Sequence, residues 1–555
     1  MTEDPYTLGE DGHHAFWADE VADRIESRRD RIDAEGPIVI KGGVSPSGVP
    51  HLGHANELMR GYFVAEVLRG RGHDVEQVFT SDDRDPLRKI PRTLADREWR
   101  VMDLGDVPNP GVLGRNLGKP LTDIPDPFEC CESFGDHQTR LLRSMTEQLG
   151  IDVEIRSTTS LYETGAFDDV TRELLAKRER AHELLGEYQA SVRDAEEYVP
   201  FNPICAECGK LTETVTAVEE GEVEYRCTDF EAGNRVIEGC GHEGTATIRE
   251  GKLPWRFEWP AQWRVLNVDF EPFGKDHAEG SWPSGEAITR ELLDFEPPTP
   301  MVYEWFTLNG EPLSSSSGHV VTVAEILELL EREVLHYYFT KNPAKARDFD
   351  VSRLDQLVDE FDRFEGLAFG ESVIGDEEKI EEERARTERV YPLVVDEMPD
   401  ERPIRLPYTF AAVLGMTDDR ELREGMARRE NHIPDEAPEA AVGSALDRVN
   451  RARQWAERVD NAYNYRLATD RPAVDLDSDT ENALDELADF VAAGHAGEAI
   501  QSEIFETARD HDLSPGDLFS AGYRLFFDTE QGPKLGPFLA ELDREFVVRR
   551  LRREG

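Results

Sequence analysis

Apolar positions along the chain change their period several times, and each change marks an element. Residues 37–46, PIVIKGGVSP, form a β-branched run ending in glycines and a proline, which predicts a strand entering a loop. From His54 to about Arg71 apolar residues recur at three- and four-residue spacing, the period of a helix, and VEQVFTS returns to strand. Strand, glycine-bearing loop, helix and strand make a βαβ unit, so residues 1–84 read as the first half of a nucleotide-binding domain.

Residues 85–255 read as an insertion, with a Pro-rich stretch, a helix from Phe134 to Leu149, a strand at VEIR, a charged helix near 165–195 and a Cys-rich segment. Strand and loop material returns around WRVLNVDFEPFGKDH and TPMVYEWFTLNG, which predicts the second half of the domain at 256–322. A helical region follows at 323–390, including the acidic helix or linker DEEKIEEERARTE, and the spacing over 391–555 predicts an α-helical bundle. The predicted fold class is α/β: a doubly wound, Rossmann-type domain with an insertion, followed by a helical C-terminal domain. A chain of 555 residues exceeds one hydrophobic core, in keeping with several domains.

Charge complicates this picture. The net charge is −53, with 11 lysines against 116 acidic residues spread over the whole chain. A solvated acidic surface suited to high salt accounts for it, because salt screens like-charge repulsion within a few ångströms. An acidic, calcium-buffering scaffold is the competing reading, but the aromatic and aliphatic content suits a packed enzyme. Any nucleic-acid-binding track must then be local. No apolar run is long enough to span a membrane, and the acidic start MTEDPYTLGEDG suits neither an export signal nor a transit peptide, so the expectation is a cytoplasmic protein.

Two loops carry candidate chemistry. Pro46-Ser47-Gly48-Val49-Pro50-His51-Leu52-Gly53-His54 lies between the first strand and the first helix. Amides at a helix N-terminus, with two imidazoles one turn apart, stabilise charge on phosphates, and Gly53 allows a nucleotide to approach the backbone. In isolation His-x-x-His is as consistent with a metal or surface role. Downstream, Gly310-Glu311-Pro312-Leu313-Ser314-Ser315-Ser316-Ser317-Gly318 is either a flexible linker or a mobile phosphate-facing loop.

Together these loops resemble the HIGH and KMSKS signatures of class I aminoacyl-tRNA synthetases, and the second resembles the KMSSSKG form of the class I lysyl-tRNA synthetases. FWADEVADRI, the run Ser81 to Lys89 (SDDRDPLRK), DPFECCESFGDH, LPWR, GKDH and LGPFLAELDREFVVRRL extend the resemblance over essentially the whole chain. It implies ATP-dependent formation of lysyl-adenylate and transfer of lysine to tRNA(Lys), with Mg²⁺ assisting. The implied ATP contacts are Pro46, Ser47, Gly48, His51, Gly53, His54, Leu313 and Ser314, with His51, His54, Ser314, Ser315 and Ser316 catalytic. Pro312 and Ser317 stand where the family often has lysine, which leaves Lys275 or Mg²⁺ to hold pyrophosphate. Glutamyl or arginyl specificity, or a non-catalytic tRNA-binding paralogue, are the rival readings.

A lysine pocket needs carboxylates for the ammonium and aromatic walls for the methylenes. Asp276, Trp255 and Tyr303, with His277 beside them, are suitable types, and Gly43 and Ser45 suit the α-amino and carboxylate end. Core packing is the plainer reading of the two aromatics. Asp82 and Asp83 are equally suited to substrate contact or to ion pairs with Arg84 or Arg88. All six cysteines fall in two groups, which favours metal ligation over disulfides. Cys205-x2-Cys208 with Cys227 and Cys240 suits structural zinc, with His242 as an alternative fourth ligand. Asp126, Cys130, Cys131 and His137 form a mixed set; the resemblance implies a second structural zinc there, with cysteine at 131 where the family usually has histidine. The C-terminal block resembles the family's anticodon-binding helical cage, and carries the arginine-bearing helix Asp447 to Trp455 and a basic end, Arg549 to Arg553. Such runs are also common on solvated helix faces. A monomer is expected.

Overall fold

The structure, a computed structural model, describes residues 14–189, 198–219, 221–232, 235–278, 280–313, 318–371, 377–468 and 470–554. It divides into two compact units, the first comprising Met1–Ile326, His336–Asp350 and Ile374–Asp396, and the second Leu327–Leu335, Val351–Val373 and Glu397–Gly555.

The first unit is built on α1 (Trp17–Ile32), β1 (Ile38–Val44), α2 (Leu52–Gly70), β2 (Val75–Ser81), α3 (Phe134–Leu149), β3 (Glu154–Ser157), α4 (Trp255–Val265), β4 (Phe270–Gly274), α5 (Ser281–Leu292) and β5 (Thr299–Tyr303). The five strands form one parallel sheet in the order β3-β2-β1-β4-β5. Ile38, Val39, Ile40, Val78 and Phe79 are buried, as parallel strands covered on both faces require. Strand order reverses between β1 and β4, and in such sheets ligands bind beyond the carboxyl ends at that point.

One part of the insertion has a small core of its own, in which Leu87, Leu94, Val112, Leu121 and Phe134 pack together, and the rest packs on the helices of the sheet. Tyr162, Phe167, Leu174, Leu184 and Val223 share one apolar cluster with Phe257 and Ala261 of α4 and Ile288 and Leu292 of α5. The charged stretch near 165–195 is two helices, Asp168–Ala176 and Arg178–Tyr188, its last part lying outside the described residues. Trp263–Val265, read above as strand or loop, ends α4. Trp255, Trp259 and Trp263 recur at i, i+4, a helical period obscured by the β-rich residues that follow.

The span 323–390, expected as one region, is divided between the units. Arg347–Phe349 pairs in parallel with Phe306–Leu308, and Arg389 pairs with Asp19 at 2.7 Å, so both segments belong to the first unit. The second unit is helical, with no strand among its described residues; its helices include Leu354–Ala368, Glu439–Val459, Ser478–Ala492, Gly497–Asp510 and Pro515–Phe527. Two arginines of the segments read as either RNA-facing or solvated are interior. Arg448, 2% exposed, donates to Glu331 (2.6 Å), to both Asp362 oxygens and to the Leu406 carbonyl. Arg550 is buried against the carbonyls of Ala468, Asp470 and Leu525. A fork of five donors matches clustered acceptors, which is why arginine serves as a buried post here. Among the described residues no helix is long and apolar enough to cross a membrane.

Candidate active site

The crevice at the sheet's switch point begins at Gly42 and Gly43. A Cβ at Gly42 would lie 2.8 Å from Glu57 Oε1, and one at Gly43 would lie 2.2 Å from Thr80 Oγ1, so only glycine fits between β2 and the side chain reaching over from α2. The Gly43 amide donates to Glu57 Oε1 at 3.0 Å, and the Tyr303 hydroxyl donates to Glu57 Oε2 at 2.9 Å. Burial raises the Glu57 carboxyl to about 7, against the opposing pull of these two hydrogen bonds.

The two histidines build the start of α2. His51 is the N-cap: its Nδ1 accepts from the Gly53 amide at 3.1 Å, while its own amide donates to His54 Nδ1 at 3.1 Å. The rings stack with centroids 3.9 Å apart. Burial lowers His54 to about 4 and takes His51 well below the ordinary imidazole range, its neighbour adding to the effect. Both rings are therefore neutral at pH 7. With each Nδ1 accepting, the ring proton is assigned to Nε2. The helix thus begins with two neutral N–H donors at the positive end of its dipole, an arrangement suited to phosphate oxygens.

The second signature converges on the first. The Leu52 amide donates to the Val321 carbonyl at 2.9 Å, and a Cβ at Gly53 would meet Leu313 at 3.5 Å. Ser314, Ser315, Ser316 and Ser317 lie outside the described residues. Pro312 is exposed on a hairpin, and Lys275 is exposed with its Nζ 2.6 Å from Glu304.

The residues expected to hold lysine come together, with one exception. A Cβ at Gly274, the last residue of β4, would lie 2.7 Å from Asp276 Oδ1 and 3.5 Å from the Tyr303 ring. His277 follows Asp276 and stands 6.4 Å from the Trp255 ring, centroid to centroid. Gly43, Glu57, Tyr303 and Asp276 are thus close to one another at the ends of β1, β4 and β5, and His277 brings the Trp255 ring beside them. The Ser45 hydroxyl is instead bonded to Asp85, which also pairs with buried Lys252. Glu57 is absent from the sequence reading. A signal existed: it lies one turn after His54, on the same face of α2. Asp82 accepts from Gln262 at 3.0 Å and Asp83 from the Thr159 amide at 2.9 Å. Arg84, one expected partner of both, turns to the carbonyls of Arg249 and Gly251 and stacks on Tyr162.

Both cysteine groups bring their donor atoms within 4.8 Å of one another. Cys205 and Cys240 Sγ are 3.6 Å apart, and Cys208 and Cys227 Sγ are 3.7 Å apart. A tetrahedron with metal–sulfur bonds of 2.3 Å has edges of about 3.8 Å, so this set fits such an ion. His242 is not a member: its ring faces Tyr225 instead. In the other group His137 Nδ1 lies 3.4 Å from both Cys130 Sγ and Asp126 Oδ1. His137 Nε2 is 2.9 Å from the Ala95 carbonyl, which directs the ring proton there and leaves the Nδ1 lone pair for a metal. The amides of Cys130 and Cys131 hold Asp126 Oδ2 at 2.9 and 3.0 Å.

A parallel sheet of this order, with paired histidines capping α2 beyond the end of β1, is a candidate nucleotide site, and comparison with known proteins names the class of the protein. A family model described as tRNA synthetases class I (K) matches residues 15–396. The chain is 62% identical to the lysine–tRNA ligase of Natronomonas pharaonis over 555 residues, all of both chains. It is 62% identical to the Halobacterium salinarum enzyme, covering 100% of this chain and 99% of that one, and 31% identical to the Pyrococcus horikoshii enzyme, covering 97% and 99%. The chain belongs to the class I tRNA synthetases and, within them, to the lysyl family.

Proposed function

We infer that this protein is a lysine–tRNA ligase. The lysine carboxylate attacks the α-phosphate of ATP in line, forming lysyl-adenylate as pyrophosphate leaves. The 2′-hydroxyl of the terminal adenosine of tRNA(Lys) then attacks the activated carbonyl and AMP departs. Catalysis is by positioning and charge stabilisation, with no side-chain nucleophile. His51 and His54 donate from Nε2 to phosphate oxygens. Pro46, Ser47, Gly48, Gly53 and Leu313 border the nucleotide, and Ser314, Ser315 and Ser316 take the catalytic role that the family's serine loop has. Mg²⁺, carried on the ATP phosphates, supplies the charge neutralisation expected of lysines at Pro312 and Ser317.

The observation that carries lysine as substrate is Glu57, a carboxylate held by the Gly43 amide and the Tyr303 hydroxyl, with Asp276, His277 and Trp255 around it. A cationic side chain threading between these aromatics ends on that carboxylate. Pyrophosphate exchange tested across lysine, ornithine, arginine and glutamate at molar and low salt is expected to respond to lysine. Exchange with glutamate and not lysine overturns the reading, and no exchange at any salt supports a non-catalytic tRNA-binding protein.

Zn²⁺ is the ion that suits both cysteine groups, as a structural element. Burial pushes the Cys130 and Cys227 thiols up to about 12, and a divalent cation would offset this by binding the thiolates. Metal analysis is expected to find two zinc ions per chain, and one in Cys205→Ser. That variant loses at least roughly 5 °C in Tm, which is about 2 kcal/mol for a domain of this size. An unchanged metal content in the variant excludes this site. The helical unit is the part that suits the tRNA anticodon, as a monomeric enzyme would present it.

A further inference from the structure

Behind the lysine pocket lies a buried charge that the reaction described above does not use. Glu271, on β4 and 3% exposed, accepts from Lys41 Nζ at 2.8 Å on the neighbouring strand β1. It also accepts from two indoles of α4, Trp259 Nε1 at 3.0 Å and Trp263 Nε1 at 2.5 Å. Trp259 stacks on Trp255 with centroids 5.2 Å apart and planes 14° from parallel, and its ring is 5.3 Å from that of His277. Trp263 lies 5.2 Å from Trp259 and 4.7 Å from Trp282, centroid to centroid, and its ring is not stacked on Trp255.

We propose that Glu271 is a positioning residue for lysine recognition, acting through Trp259 to fix the Trp255–His277 wall of the pocket. The inference rests on the lysine pocket argued above. A carboxylate is suited to the task because two indole N–H groups and an ammonium need three acceptor sites in one place, and a buried ion pair with three hydrogen bonds on it holds one geometry. Stacking alone leaves the Trp259 ring free to slide in its own plane; the hydrogen bond from its edge prevents this. The pocket is sensitive to such a shift, since a displaced aromatic face loses contact with the substrate methylenes and ammonium.

Trp259→Phe keeps an aromatic ring and removes the donor. Its KM for lysine is expected to rise about fivefold to tenfold, the effect of one buried hydrogen bond. Its KM for ATP and its kcat should change less than twofold. Trp263→Phe removes a hydrogen bond to the same carboxylate from a ring that does not stack on Trp255. It is expected to lower Tm by a similar amount while leaving the lysine KM unchanged. Equal effects of the two variants on lysine KM, or a lower Tm with no change in KM for either, overturn the proposal. Glu57→Gln measured alongside separates the two levels. If it raises the lysine KM while Trp259→Phe does not, only the positioning role fails. If it leaves the KM unchanged, the pocket is elsewhere and the proposal falls with it.

Discussion

Glu57→Gln lowers kcat/KM for lysine in pyrophosphate exchange by roughly 30- to 1000-fold, with most of the loss in KM. The carboxylate is enclosed by the Gly43 amide, the Tyr303 hydroxyl and the strand ends, so an ammonium bound there is partly desolvated. Removing one partner of such a pair costs about 2–4 kcal/mol. The wild-type enzyme should also show a pH dependence with a defined sign. Burial raises Glu57 to about 7; Lys41, the Gly43 amide and the Tyr303 hydroxyl favour its charged form, and Glu271 opposes it. Below that value the free enzyme holds a neutral acid that binds an ammonium poorly. The lysine KM therefore falls by up to about tenfold per pH unit as pH rises toward 7 and levels off above it. In Glu57→Gln the dependence disappears. A wild-type KM that is flat between pH 5.5 and 8.5 removes Glu57 from the binding step.

His54→Ala reduces kcat of exchange by roughly 10²–10³-fold while the lysine KM stays within about threefold, as expected when a donor to developing phosphate charge is lost. The same side chain closes the capping box of α2, so the variant also loses about 0.5–2 kcal/mol of stability. His54→Gln separates the two roles. Glutamine at this position accepts from the His51 amide and restores Tm, but its amide does not reproduce the reach of Nε2–H, and kcat stays at least about tenfold low. Recovery of both rate and Tm in His54→Gln makes the histidine a helix cap and nothing more.

Much of this site is legible in the sequence because it is local. The strand Ile38–Val44 and the helix Leu52–Gly70 follow from their apolar periods, and the histidines from their spacing at the junction. Glu57 is not legible in that way. One glutamate on a helix reads as a solvated charge until β1 and β5 are known to bring Gly43 and Tyr303 against it. Trp255, Trp259 and Trp263 show the reverse difficulty. Their i, i+4 period is helical, but Trp263 and the β-rich residues after it read as strand or loop. Arg448 has the look of an RNA-binding residue because arginine on a polar helix is ambiguous; Glu331 and Asp362, 117 and 86 residues away, make it an interior post.

By itself, the sequence determined the kind of the elements around the first signature, β1, α2 and β2, and the grouping of cysteines, since these depend on neighbours within a turn or two. The strand order was left to the tertiary structure. The order β3-β2-β1-β4-β5 sets Lys41 beside Glu271 and opens the crevice between the ends of β1 and β4. Whether a buried carboxylate receives an ammonium, two indoles or a guanidinium depends on which distant segment crosses there, because a charge removed from water takes its meaning from its partners.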